Sequence, residues 1–349
     1  MLEKREDLNI KIEKREKMNL KIKDIAKKSG VSIATVSRYL NNSGYVKSET
    51  KELIKKAIKE LKSEEGNLYA KNIALILPDL SDLFFVDILK GINEEAIENG
   101  YNLISFDSNE NIDREFQIID SLSNFDIGGV IITPCSSSLK NSKKYSERLK
   151  SLNIPVVIVD RDLIYSNFDG VFIDDKKGAF DGVDMLINAG HKDIAIITGP
   201  LHNKPSIERL EGYKEVLTLN NIVIKDEYIH EGDFHVDSGY TQTINILKNN
   251  KNVTAIFVSN NMMMLGCINA LNENNIKIGE DISLVGFDDL EFLNYVGMEI
   301  SVVARPTAQM GQIAFDLIQK KINEYELYST QNIVLKPYLI KRGSEKIKK

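Results

Sequence analysis

Apolar positions along residues 20–62 recur at helical spacing and predict three short helices. In the first, Lys21 to Ser29, the residues Ile22, Ile25 and Ala26 share one face, and Gly30 supplies a left-handed stop. Ser32 is placed to cap a second helix, Ile33 to Leu40, with Val36 and Leu40 turned inward. A polar loop of Asn41, Asn42, Ser43 and Gly44 follows. Ser48 is expected to cap a third helix, in which Leu53, Ile54, Ala57, Ile58 and Leu61 repeat at helical spacing. From Ile73 the period changes. Short β-rich runs (Ile73 to Leu77, Leu103 to Phe106, Val130 to Ile132, Val156 to Val159, Ile194 to Ile197, Ala255 to Val258, Ile282 to Phe287) alternate with amphipathic stretches such as Phe84 to Asn99. Recurrent βα units predict parallel sheets of the α/β class, and the length of this region favours two similar lobes with a ligand cleft between them.

Two helices joined by a tight turn, with a third behind, form a helix-turn-helix. With Val36 and Leu40 inside, the second helix presents Ile33, Ala34, Ser37 and Arg38 outward, a narrow surface that can enter a major groove. Charge supports this assignment. The 349-residue chain has a net charge of −6, but residues 18–65 hold 11 Lys and Arg against 6 Asp and Glu, and residues 1–17 hold 6 against 5. The remainder holds 28 against 40, so a small basic module sits on an acidic body, as expected where one part meets a polyanion.

Other chemistry finds little support. There is no G-x-G-x-x-G, P-loop, H-E-x-x-H or G-x-S-x-G run, and His191, His202, His230 and His235 are scattered, so no enzyme is expected. Cys135 and Cys267 lack metal-ligand spacing, and neither metal nor cofactor is expected. No apolar run approaches a membrane span, and the charged N-terminus has no secretory pattern, which points to the cytoplasm.

The stretch IKDIAKKSGVSIATVSRYLNNSGYVKSET, Ile22 to Thr50, resembles the DNA-binding headpiece of the lactose-repressor (LacI/GalR) family of bacterial transcription regulators. Motifs in the same order continue the resemblance over residues 18–349: PDLSDLFFVDILKGINEEAIENGY from Pro78, GHKDIAIITGP from Gly190, ERLEGYKEVL from Glu208, SNNMMMLG from Ser259, DISLVGFDD from Asp281 and RPTAQMGQIA from Arg305. The resemblance implies a three-helix headpiece followed by a two-lobed body like periplasmic binding proteins. It implies a homodimer on double-stranded, pseudo-palindromic operator DNA, acting as a repressor controlled by a small-molecule effector, a sugar by class. The expected domains are a non-family extension at 1–17, the helix-turn-helix at 18–64, a shortened hinge at 65–72 and an effector-binding and dimerisation domain at 73–349. Within the last, one lobe takes about 73–174 and 305–330, and the other about 175–304 and 331–349. Met18 is the expected native start.

By the same resemblance Ile33, Ala34 and Arg38 read base edges, while Ser32, Thr35, Ser37, Asn41 and Tyr45 lie where contacts are made to phosphates or flanking bases; Lys47 is a further expected phosphate contact. Leu68 is the one aliphatic residue available as a minor-groove wedge in a hinge without the family's usual Pro-Asn and Ala-Arg pairs, so weak insertion is expected. The expected effector residues are Asp82, Phe84, Asp160, Arg161, His202, Arg209, Phe234, Asn260 and Asp288. Planar polar groups suit paired hydroxyls, and an aromatic face suits a sugar ring. Asp160 and Asp288 follow apolar strands, where α/β folds bind ligands. Two alternatives stand beside this reading: a catabolite-control-type regulator driven by a protein partner, and a stand-alone sugar-binding protein.

Overall fold

The computed structural model describes residues 22–40, 44–64, 71–164, 166–323 and 329–346. The extension at 1–17, Asn41 and Leu68 lie outside them. The described residues fall into two units that divide between Ala70 and Lys71.

The first unit holds three helices: α1 (residues 22–29), α2 (Ile33–Leu40) and α3 (Ser48–Glu64). Gly30 ends α1 at φ 68°, and the Val31 N–H returns to the Ala26 carbonyl at 3.2 Å, the bond that satisfies a free carbonyl at a helix end. Ser32 caps α2: its Oγ accepts from the Thr35 N–H at 3.2 Å. The core is small, built on Ala26, Val36 and Ile54 with Ile22, Ile25, Val31 and Tyr39 packed around them. Three expectations change here. Leu40, one turn beyond Val36 at the end of α2, is exposed, because the core does not extend that far. Leu53 is also exposed, since its neighbour Ile54 takes the inward direction and adjacent helix positions point about 100° apart. Ser48 is already inside α3; the Lys47 carbonyl accepts the first helical bond, from Lys51 at 3.0 Å, so Lys47 occupies the cap position.

The second unit has two lobes, each a twisted sheet covered by helices on both faces. The first sheet contains β1 (Asn72–Leu77), β2 (Asn102–Asp107), β3 (Ile127–Ile132), β4 (Val156–Val159), β5 (Asp169–Ile173) and β11 (Asn332–Leu335), in the order β11-β5-β4-β3-β1-β2, all parallel. It is flanked by α4 (Leu83–Glu98) and α12 (Thr307–Asn323) on one face, and by α5 (Ile112–Ser121) and α6 (Leu139–Ser151) on the other. The second sheet contains β6 (Ile194–Thr198), β7 (Ile229–Glu231), β8 (Ala255–Val258), β9 (Ser283–Phe287), β10 (Ser301–Ala304) and β12 (Tyr338–Ile340), in the order β12-β10-β9-β8-β6-β7. Here β12 runs antiparallel to β10. The helices of this lobe are α7 (Asp175–Asn188), α8 (Lys204–Leu219), α9 (Val236–Asn249), α10 (Asn261–Glu273) and α11 (Phe292–Tyr295). Both sheets follow the 2-1-3-4-5 winding, which leaves a crevice at the carboxyl ends of the strands where the order reverses.

Three chain crossings join the lobes: β5 to α7, β10 to α12, and β11 to β12. The last falls between Leu335 and Tyr338, not near residue 330. After α12 the chain first pairs β11 with β5, Ile333 opposite Val171, and so adds a sixth strand to the first lobe before it crosses. No helix among the described residues is long and apolar enough to cross a membrane.

Helices α4 and α12 approach closely at Gly91 and Gly311, where an added methyl group would overlap the Ala308 and Ile88 carbonyl oxygens respectively. Gly91→Ala is therefore expected to lower the unfolding free energy by about 1–3 kcal/mol, as overpacking of a rigid helix contact does; urea denaturation followed by circular dichroism measures it.

Candidate functional site: an exposed helix and an interlobe cleft

On the first unit the outward face of α2 carries Ile33, 49% exposed, with Ala34 and Arg38 exposed beside it. Thr35 and Ser37 are half-buried, and Ser32, Tyr45 and Lys47 are exposed around the same helix. Tyr45, at 85%, is an aromatic side chain left almost wholly in solvent. Exposed aliphatic and aromatic residues next to a guanidinium and a lysine form a surface suited to apolar contact with base edges together with phosphate pairing.

In the second unit the loops after the strands of both lobes meet around a cleft of about 440 Å³, the part open to solvent included. Eight of the nine expected effector residues line it: Asp82, Phe84, Asp160, Arg161, Arg209, Phe234, Asn260 and Asp288. His202 does not. It lies exposed on the turn before α8, because the next residue, Asn203, is the one drawn inward, its Oδ1 accepting from the Ser137 N–H at 3.4 Å. His235, from the loop before α9, lines the cleft instead.

At the centre is a residue absent from the expected set. Arg305 follows β10 at the second crossing and is buried. Its Nε and Nη2 donate to the two carboxylate oxygens of Asp288 at 2.5 and 2.6 Å, and its Nη1 donates to Asp160 at 2.6 Å. The guanidinium therefore holds one carboxylate from each lobe. It also lies over the Phe84 ring, 3.4 Å from the centroid, so that face of Phe84 is taken by a cation and is not open to a sugar ring. Burial opposes the charge on Arg305, but Asp288 and Asp160 outweigh it and raise its pKa.

The other two arginines are similarly engaged. Arg209 pairs with neither neighbouring glutamate but with buried Asp175 on α7, Nε to Oδ1 at 2.7 Å, and donates to the Ser259 carbonyl at 2.5 Å. Arg161 forms a two-bond fork with Glu110, at 2.6 and 2.8 Å, and reaches the Pro134 and Cys135 carbonyls. Asp82 caps α4 by accepting from the Phe84 N–H at 2.9 Å, and crosses the cleft to accept from Asn261 Nδ2 at 2.7 Å. Burial raises its pKa to about 6, the Asn261 and Phe84 bonds opposing that rise. Asn260 caps α10 and holds the Phe234 carbonyl at 3.1 Å.

Asp160, Phe234 and Asp288 all have left-handed backbones, φ 66°, 72° and 74°, which non-glycine residues adopt at a cost. The two aspartates are equivalent in this respect: each leaves its strand with its N–H still bonded to the adjoining strand, Asp160 to Val171 and Asp288 to Val303, while the carboxylate turns into the cleft. Arg305 was legible by the same rule that picked out Asp160 and Asp288, since it too follows an apolar strand. Asp175, two residues past the apolar end of β5, was legible in the same way; Glu110, three residues past β2, was less so, because a turn separates it from the strand.

Residues 21–62 match the family model described as bacterial regulatory proteins, lacI family, and residues 183–345 match the periplasmic binding protein-like domain. The chain is 31% identical to catabolite control protein A of Priestia megaterium, over 91% of this chain and 96% of that one. It is 35% identical to the probable HTH-type transcriptional repressor ExuR of Bacillus subtilis, over 87% and 92%. Among solved structures it is similar to a complex of the transcriptional regulator CelR with cellobiose, at a TM-score of 0.70 and 26% identity, over 93% of this chain and 99% of that one. A helix-turn-helix at one end, a binding-protein body at the other and identity of this order along nearly the whole length lead to one conclusion: the chain belongs to the lacI family of bacterial regulatory proteins and is a DNA-binding transcriptional regulator.

Proposed function

We propose that this regulator is a cytoplasmic, homodimeric repressor, without catalytic activity, whose operator affinity is set by a sugar-class effector bound in the interlobe cleft. The observation that carries the reading is the ion bridge from Asp160 through Arg305 to Asp288, which ties the two lobes together at the point where both sheets present their strand ends. A ligand whose hydroxyls replace part of that bridge changes the relative energy of open and closed lobes, and only such a difference can shift a conformational equilibrium. The CelR relative binds cellobiose, and the polar, aromatic-walled cleft here suits the same class. A headpiece reads only a few base pairs, and two-fold symmetry doubles the readout, which favours the dimer. The resemblance to catabolite control protein A keeps a protein-driven regulator as the second reading; calorimetry with a sugar panel separates the two, since a partner-driven protein would bind no sugar tightly.

On the DNA side, Arg38→Ala is expected to weaken binding by about 1–3 kcal/mol per half-site and relax preference at one base pair. Lys47→Ala should weaken all sequences alike and flatten the salt dependence. Anisotropy titrations on operator and scrambled duplexes at several salt concentrations measure both; equal loss on both duplexes for Arg38→Ala would remove its base-reading role.

In the cleft, alanine at Arg209 would strand buried Asp175 at a cost of about 3–5 kcal/mol. Asp288→Asn is the cleaner probe, since it keeps the side chain's shape and an oxygen acceptor toward Arg305, which retains Asp160 as its counter-charge. It is expected to abolish the effector response, so that operator affinity is the same with and without effector. Normal induction or corepression in this variant would exclude Asp288 from the site.

Asp82 gives a pH signature. A hydroxyl donating to its carboxylate favours the ionised form, so effector affinity should rise as pH increases through about 6. Calorimetric titrations across that range, repeated with Asp82→Asn, should show the dependence and then its loss.

A further inference from the structure

Each guanidinium in the cleft is already occupied by the protein's own carboxylates. Arg161 is held by both oxygens of Glu110 and two carbonyls, Arg209 by Asp175 and the Ser259 carbonyl, and Arg305 by Asp160 and Asp288. All three side chains are at most 4% exposed. The acceptors are less fully used. Both bonds to Asp82 fall on Oδ1, and its Oδ2 has no hydrogen bond among the described residues. Asp160 gives Oδ1 to Arg305, and its Oδ2 lies 4.0 Å from Arg161, beyond bonding distance. The wall thus offers free carboxylate oxygens, while the charge of each guanidinium is already neutralised by a carboxylate of the protein. It also carries an excess of carboxylates, since Asp79, Asp82, Glu110, Asp160 and Asp288 line it against three arginines.

We propose that the cleft selects an uncharged, unphosphorylated polyhydroxylated ligand, and that Glu110 is the residue that closes it to acidic sugars. The inference rests on the effector reading above. A neutral polyol supplies the hydroxyl donors that the free oxygens of Asp82 and Asp160 lack. A uronate or sugar phosphate has two routes, both unfavourable. It can enter beside uncompensated carboxylates in a poorly solvated space, or it can displace Glu110 from Arg161 and leave that carboxylate partly buried without a partner. Glu110 is set for its task by the backbone. It sits at φ 52°, next to Asn109 at φ 53°, with its N–H bonded to the Pro78 carbonyl at 2.7 Å. A glutamate rarely adopts this conformation, and it sends the side chain back to Arg161 across 51 residues of sequence.

The test is calorimetry on the full chain with a panel of neutral pentoses, hexoses and disaccharides, each paired with its uronic acid or phosphate ester. A neutral member should bind, with its charged counterpart at least about tenfold weaker. A uronate or phosphate that binds as tightly as its neutral counterpart, or more tightly, overturns the proposal and leaves the effector reading intact. No saturable binding by any member overturns the effector reading and this inference with it. In Glu110→Gln, with folding checked by thermal melting, the ratio of uronate to neutral-sugar affinity should rise about tenfold. An unchanged ratio in a folded variant removes Glu110 as the determinant, and the wild-type panel decides the charge selection even if that variant does not fold.

Discussion

A buried guanidinium shared between two carboxylates from different lobes organises the body of this regulator. Burying three charges costs several kcal/mol per ion, and the cost is offset only where geometry is close and the remaining donors are satisfied. Arg305 offsets that cost through its fork onto Asp288, its single bond to Asp160 and its cation–π contact with Phe84. Left-handed turns at Asp160 and Asp288 let each residue keep its sheet bond and still aim its carboxylate at the same guanidinium. Neither turn is favourable alone, and the shared cation is the interaction that compensates both.

The surrounding contacts depend on this centre. Asn261 reaches Asp82 across the cleft, and the Lys204 N–H at the start of α8 donates to Ser137 Oγ at 2.8 Å. The ion pair of Lys204 with Asp162 is partly solvated and adds little by comparison. Contacts of this kind hold only while the strand ends stay apposed. Ligand chemistry and lobe geometry are therefore the same problem here, because a ligand between the lobes would touch the very carboxylates whose other oxygens take part in closing them.

The DNA-binding unit follows the opposite logic. Its core rests on a few side chains, and its working residues, Ile33, Ala34 and Arg38, are the ones left outside. Short helices with so little to bury rely on their ends, where Gly30 terminates α1 and Ser32 starts α2. A rigid scaffold around a short exposed helix is sufficient for groove reading, because recognition requires an accessible helix with side chains at fixed spacing.

Local rules read from the sequence located the three helices, the alternation of strands with helices, the serine cap on α2, and the carboxylates that follow β4 and β9. Each of these is encoded within a few residues, by periodicity, by a capping hydroxyl or by position at the end of an apolar run. The same rules failed where several partners compete for one core, as with Leu40 and Leu53, or where strand pairing decides membership, as with Asn332–Leu335. They could not show which of His202 and His235 faces the cleft, or that the arginines already hold partners. Arg161 with Glu110 and Arg209 with Asp175 are 51 and 34 residues apart, and Asp160 lies 145 residues from Arg305. The sequence by itself determined which chemical groups stand at the strand ends; only the tertiary structure decided which are free for a ligand, because charge pairing in a buried cleft is settled by distances of a few ångströms between elements brought together by three chain crossings.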